Sequence, residues 1–327
     1  MKKLQFLVLF LPILVYAQNN PCLNNTLDTS YTNITACDSY SWNDSTYNQS
    51  GTYYNNSSNN NNSINFNSNT NNYNLIGSMQ TNAPYLEING SDINNIFSGY
   101  NPFTVSLWIY GNAESFDSYG RHIIGKGYTG QGFGSNPSSF MLYKETYNVF
   151  SFILYSAANN YIRLQAIDLI DASSWSNIVL TYDGGGNTNS LKIYKNGVLQ
   201  PVWGSTIVHG SYTGMSMNND PLFIGARVMD GTLNTHLAWN GEMDDISIWD
   251  YTLSQSEITY NYQNCIDINS NGLAAYWNLE EGNGNTITDL SGNGNNGLLI
   301  NNPLWNTNVP SQSCQRSRNT CNIHSRV

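Results

Sequence analysis

Three carboxylates crowd one short stretch of this 327-residue chain, Glu242-Met243-Asp244-Asp245. Two carboxylic groups about 5 Å apart, one a nucleophile and the other an acid/base, cleave a glycosidic bond with retention. Carboxylate and backbone oxygens at a sheet edge also suit Ca²⁺, a hard cation with flexible coordination. A third role is structural, since acids at a strand end cap amides and keep the edge soluble. Other reactive residue types are dispersed. His122, His209 and His236 have no Ser or Cys nucleophile beside them in a recognisable motif. The five cysteines, Cys22, Cys37, Cys265, Cys314 and Cys321, show no CxxC or Cys/His spacing of the kind zinc needs. Gly125-Lys126-Gly127 and the glycines from Gly130 to Gly134 lead into loops, whereas a phosphate cradle needs a helix N-terminus. Tyr128, Trp203 and Trp239 fall in loops, where a ring can stack on a sugar face.

The acids must be held by a strand. Alternation over 240–250 places Asp244, Ile246 and Ile248 on one side and Asp245, Ser247 and Trp249 on the other. Ser254 then opens a short helical turn, with Glu257 in capping-box position. Upstream, residues 85–88, 103–110, 122–127, 140–143, 149–155, 161–166, 175–183, 191–198 and 221–226 carry strand patterns. Asn196-Gly197 is a tight hairpin turn, because both residues tolerate positive φ. Many short strands, Gly/Asn turns and no helix beyond a turn or two predict an all-β sandwich.

Six phrases add specificity: FTVSLWIY at 103–110, HIIGKG at 122–127, WSNIVLTYDG at 175–184, LKIYKNGV at 191–198, PLFIGA at 221–226 and GEMDDISIWD at 241–250. In this order they resemble the laminin G-like (LamG3 type), concanavalin A-like jelly roll, a sandwich of two antiparallel sheets, over roughly residues 76–262. The resemblance implies that the Asp opening the closing strand holds a structural Ca²⁺ with backbone oxygens, a position that matches Asp244, with Glu242 beside it. The pentraxin branch places calcium ligands on loops, and Asp230 lies near one such position. Arg227 and Met229 stand where further acids would be expected, which puts a double site in doubt. Related jelly-roll glycoside hydrolases carry Glu-x-Asp-x-(x)-Glu. Here Ile246 and Ser247 occupy the place of the second Glu, so retaining hydrolysis is not expected.

The phrase at 272–282, continued at 289–297, normally opens such a domain, yet here it comes last. Either it folds back beside the closing strand and completes the sandwich, or it begins a second copy that the chain cuts short. The first is favoured, since an orphan opening strand would leave an edge unpaired. Residues 34–43 and 51–53 resemble one unit of the Cys-Asp-Ser-Tyr-x-Trp-Asn repeats of large secreted bacterial adhesins.

Lys2 and Lys3, the apolar run Leu4 to Val15 and Val15-Tyr16-Ala17 form a three-part signal peptide over 1–17, so export is expected. No other apolar run reaches membrane-spanning length, and no membrane insertion is expected. An Asn-rich linker at 18–74, the jelly roll at 75–264, the segment 265–314 and a disordered tail at 315–327 complete the expected division. Cys265 and Cys314 bracket that segment and are the first pairing expected, with Cys22–Cys37 second. Net charge −10 argues against nucleic acid or an anionic membrane as partner. The function expected is a non-catalytic extracellular recognition or adhesion module, calcium-stabilised, for a polysaccharide, a surface glycan or a host or cell-surface protein. A glycan-active enzyme with an unrecognised site and a structural spacer of a larger adhesin are the alternatives.

Overall fold

The computed structural model describes residues 83–111, 120–127, 139–145, 148–157, 159–204, 206–229, 232–234, 237–301, 303–306 and 308–311, with short strands inside 40–65 and at 320–323. The expected signal peptide, Cys22, Cys37, Cys314, Tyr128 and Asp230 lie outside the described residues. Two antiparallel sheets face each other. One has the order Ile207–His209, Asn160–Ile167, Val149–Ala157, Phe140–Lys144, Arg121–Lys126, Leu222–Ile224, Tyr85–Ile88, Gly297–Ile300 and Thr286–Ile287. The other runs Val198–Leu199, Leu191–Lys195, Trp175–Tyr182, Phe103–Gly111 and Gly241–Trp249, then Ser63–Asn65 and Leu304–Asn306, with Leu273–Trp277 also paired to Gly241–Trp249.

Alternation explains why these strands stack. Phe150, Phe152 and Leu154 of one sheet and Val105, Leu107 and Ile109 of the other point into one shared core. Between them Phe97, Phe103 and Phe140 pack with ring centroids 4.3–5.4 Å apart. Asn196 and Gly197 take φ of 51° and 78°, and this two-residue turn lets Lys195 pair with Val198.

The helix at Gln255–Gln263 is longer than the single turn expected. Its capping box is present, with Ser254 accepting from Glu257 N–H and Glu257 accepting from Ser254 N–H. What extends it is burial on the outer face of the eight-stranded sheet. Ile258 packs with Val179, Tyr194 and Trp249, and Tyr262 stacks on Trp108 at 5.6 Å.

The 272–301 region serves both sheets: Leu273–Trp277 pairs with the second half of Gly241–Trp249, and Gly297–Ile300 pairs with Tyr85–Ile88. Its loop is organised by Asp289, whose carboxylate accepts from the N–H groups of Tyr276, Ser291 and Asn295 and from the Ser291 hydroxyl. Two boundaries need correction. Ser63–Asn65, placed in the linker by its composition, pairs with Glu242 and Met243, because the first half of that long strand otherwise lacks a neighbour on one side. Thr320–Ile323, placed in a disordered tail, forms a strand antiparallel to Gly51–Tyr54. Its Thr and Ile suit an extended pairing that the polar flanks conceal.

Candidate functional site

The strand Gly241–Trp249 is not a regular ribbon. Asp244 pairs with Trp108 and Ser247 with Ser106, so Asp245 and Ile246 together stand opposite Leu107 alone. This is a β-bulge, and Asp245 takes it up with φ of 45°, a conformation that Asp tolerates better than most residues. The extra residue puts both Met243 and Ile246 into the core. Asp244 therefore shares the outer face with Trp108 and Asp245, not the inner face with Ile246 and Ile248 as strict alternation predicts.

Both acids are buried there, at 1% exposure for Asp244 and 8% for Asp245. Asp245 N–H donates to Asp244 Oδ1 at 2.9 Å, and the Tyr276 hydroxyl donates to Asp245 Oδ1 at 2.6 Å. Asp244 Oδ2 has no hydrogen-bond partner among the described residues. Burial, then the charges of Asp245, Glu280 and Glu242, push the Asp244 carboxyl well above the usual carboxylate range. Burial pushes Asp245 up to about 6, against the Tyr276 hydrogen bond. Glu242 is differently placed: Asn306 Nδ2 donates to its Oε1 at 2.9 Å and Asn308 Nδ2 to its Oε2 at 2.7 Å. Asn308 is also tied to Trp175, whose indole N–H donates to its Oδ1 at 3.4 Å.

Neither arrangement can flank a scissile bond, because all three carboxylates face packed protein. As calcium ligands the two sequence candidates separate. The orphaned Asp244 Oδ2 is a hard donor of the right chemistry, whereas both oxygens of Glu242 are occupied by amide N–H groups. Among the described residues, no group of three or more His, Cys, Asp or Glu side chains could hold a metal ion.

A family profile described as the concanavalin A-like lectin/glucanases superfamily, of laminin G type, matches residues 80–259, more than half of the sequence. The chain belongs to this superfamily. No curated protein matches it. Among solved structures, it is similar to a presumptive carbohydrate-binding protein of Bacteroides ovatus, with 18% identity and a TM-score of 0.48 over 76% of this chain and 62% of that one. The chain thus spans under two thirds of that relative's length. It is also similar to the heptameric SAP-like pentraxin of Limulus polyphemus, with 14% identity and a TM-score of 0.40 over 73% and 94% of the two chains. A third similarity is to the CBM40 of Ruminococcus gnavus IT-sialidase bound to α2,3-sialyllactose, with 15% identity and a TM-score of 0.41 over 56% and 94%.

The aromatic candidates also separate. Trp239 is 1% exposed and belongs to the core between the sheets, so it cannot offer a face to a sugar. Its position is corrected for a simple reason: its backbone N–H bonds Gly225 O at 2.7 Å, which docks the connection against the sandwich. Gly241 is glycine because a Cβ there would lie 2.6 Å from Trp239 Nε1 and 2.2 Å from Tyr110 O. Trp203, in contrast, is 43% exposed. At one end of the sandwich lies a recess of about 780 Å³ whose polar lining includes Asp92, Asn95, Asp250, Asn269 and Asn293. Tyr276, Glu280, Asn306 and Asn308 escape a local reading of the acids, since they act on Glu242, Asp244 and Asp245 from 31 to 66 residues away. Cys265 is disulfide-bonded, and the expected partner Cys314 is outside the described residues.

Proposed function

We propose that the protein is a non-catalytic, exported recognition module that binds a polysaccharide or surface glycan. The observation that carries this reading is the sealing of the strand's carboxylates. In a superfamily of lectins and glucanases, the acids that sequence position marks for cleavage are here buried or held by asparagine amides. Exposed Trp203 and the Asn-rich recess offer the stacking and hydrogen-bonding groups that neutral sugars require. The three-part N-terminal pattern supports export, and a disulfide at Cys265, with Cys314 as its proposed partner, suits an oxidising compartment. A calcium ion held by Asp244 and backbone oxygens would be structural in this reading and would offset the burial of the acid pair.

Glycan-array binding with and without chelator, run beside a reducing-sugar release assay on the polysaccharides bound, tests the proposal. Binding without turnover is expected, with chelator weakening it through loss of stability. Sustained turnover by the purified chain would overturn the non-catalytic reading, and silence across the array would leave only a spacer role.

A further inference from the structure

The rim where the two sheets both end carries an unusual amount of exposed ring and apolar surface. Val198, Val202, Trp203 and Val208 are 63%, 49%, 43% and 58% exposed. They come from the edge strand Val198–Leu199 of one sheet, the edge strand Ile207–His209 of the other, and the connection between them. Edge strands of this kind are ordinarily blunted with charge. Here the edge carries the exposed Trp203 ring and a His209 ring held by its neighbours.

His209 pairs directly opposite Tyr161, so the two share the outer face of the nine-stranded sheet, and their rings stack at 5.0 Å and 5°. Tyr161 in turn packs on Tyr155 at 5.5 Å. The His209 Nδ1 lies 2.5 Å from Asn159 O. A carbonyl can only accept, so Nδ1 carries the hydrogen in this contact, which also fixes the plane of the ring. Asn160 Oδ1 accepts from Ser211 N–H at 3.0 Å and holds the chain beyond it. At the other end of the same edge, Trp203 N–H donates to Gln165 O at 2.8 Å. Tyr161 and Gln165 are four residues apart, about 13 Å along a strand, which is longer than one sugar ring.

The groups between the rings are polar and sum to no charge. Glu145 Oε1 accepts from Gln165 Nε2 at 2.8 Å and from an Arg163 guanidinium nitrogen at 3.3 Å, and it also takes the Ser151 hydroxyl. Arg163 Nε has no partner among the described residues. The ion pair cancels within the face, while the chain as a whole carries −10. The net negative charge of the whole chain disfavours polyanions, while this neutral face offers rings to the apolar faces of pyranoses, with amide and guanidinium groups between for hydroxyls.

We propose that this edge, from His209 and Tyr161 to Trp203, is the platform on which a neutral glycan chain of more than one sugar unit lies. The inference rests on the carbohydrate-binding reading above and adds the residues and the charge class of the ligand.

The test is affinity electrophoresis of the full chain through gels containing neutral polysaccharides (a β-glucan, a mannan and a xylan) or an anionic polyuronate. The variants are Trp203→Ala, His209→Ala and, as an exposed control on the helix, Tyr260→Ala, with thermal melts to check folding. Retardation by at least one neutral polysaccharide is expected, weakened about tenfold or more in each of the first two variants and unchanged in the third. Neutral-glycan binding that survives both Trp203→Ala and His209→Ala overturns the platform and leaves the carbohydrate-binding reading standing. The platform is also overturned by equal losses in Tyr260→Ala, or by retardation in the polyuronate alone. Absence of binding to any glycan by the wild-type chain overturns the carbohydrate-binding reading and the platform with it. Iodide quenching gives a direct readout: ligand is expected to protect an accessible tryptophan in the wild type and not in Trp203→Ala.

Discussion

Replacing Asp245 by Asn is expected to stabilise the metal-free protein at neutral pH. The substitution keeps the shape, tolerates the left-handed backbone at φ 45°, and leaves Oδ1 to accept from the Tyr276 hydroxyl. What it removes is a buried charge. Burial raises the Asp245 carboxyl from 3.8 in the unfolded chain to about 6 in the folded one. Between those values the folded state binds more protons than the unfolded state, so stability falls as pH rises through that window. At about 1.4 kcal/mol per tenfold change in ionisation constant, the folded state is about 3 kcal/mol less stable at pH 7 than below pH 4 on this account. Removing the charge also relieves Asp244, whose ionisation Asp245 opposes. Urea unfolding in chelator should therefore show Asp245→Asn more stable by about 3 kcal/mol at pH 7, with the gain vanishing near pH 4. A variant less stable than the wild type by the same amount at both pH values would refute the reasoning. Repeating the series in calcium separates the charge from its use: an ion at Asp244 would raise the wild-type midpoint and reverse the sign of the substitution.

The other expectations are simpler. Ser254→Ala removes one half of the capping box and should cost about 1 kcal/mol in urea unfolding, without altering the sheets. Asp289→Asn turns an acceptor facing the buried Asn295 N–H into a donor, and a loss of about 1–3 kcal/mol is expected, with faster hydrogen exchange at Asn295. Lys126 points its ammonium at Asn218 O, Asn218 Oδ1 and Asp220 O, and burial pulls it down to about 8. The unfolded chain then holds more protons between pH 8 and 10.5, so this residue's contribution to stability should rise with pH across that window, and Lys126→Met should remove the slope.

Local rules carried far in this chain wherever a side chain's role depends on its own strand. The alternations at 103–110 and 149–155, the Asn196-Gly197 turn and the Ser254 cap all name their own geometry, and their order identifies the sandwich and the superfamily. The same rules failed at Asp244, where strict period-two counting assigns the wrong face. A bulge is one extra residue accommodated against a neighbouring strand, and nothing within 241–249 announces which residue will absorb it. Trp239 misled for a related reason: a tryptophan in a connection looks available until the connection folds onto the core.

The sequence by itself determined the class of the protein, its two-sheet plan and the missing second glutamate, because periodicity, turn chemistry and residue identity are local properties. The tertiary structure alone decided that Asp244 and Asp245 share a buried outer face, that Asn306 and Asn308 occupy Glu242, and that Trp203 and His209 end on one rim. Each of those facts is a meeting between residues far apart in the chain, and such meetings are set by how sheets register and pack.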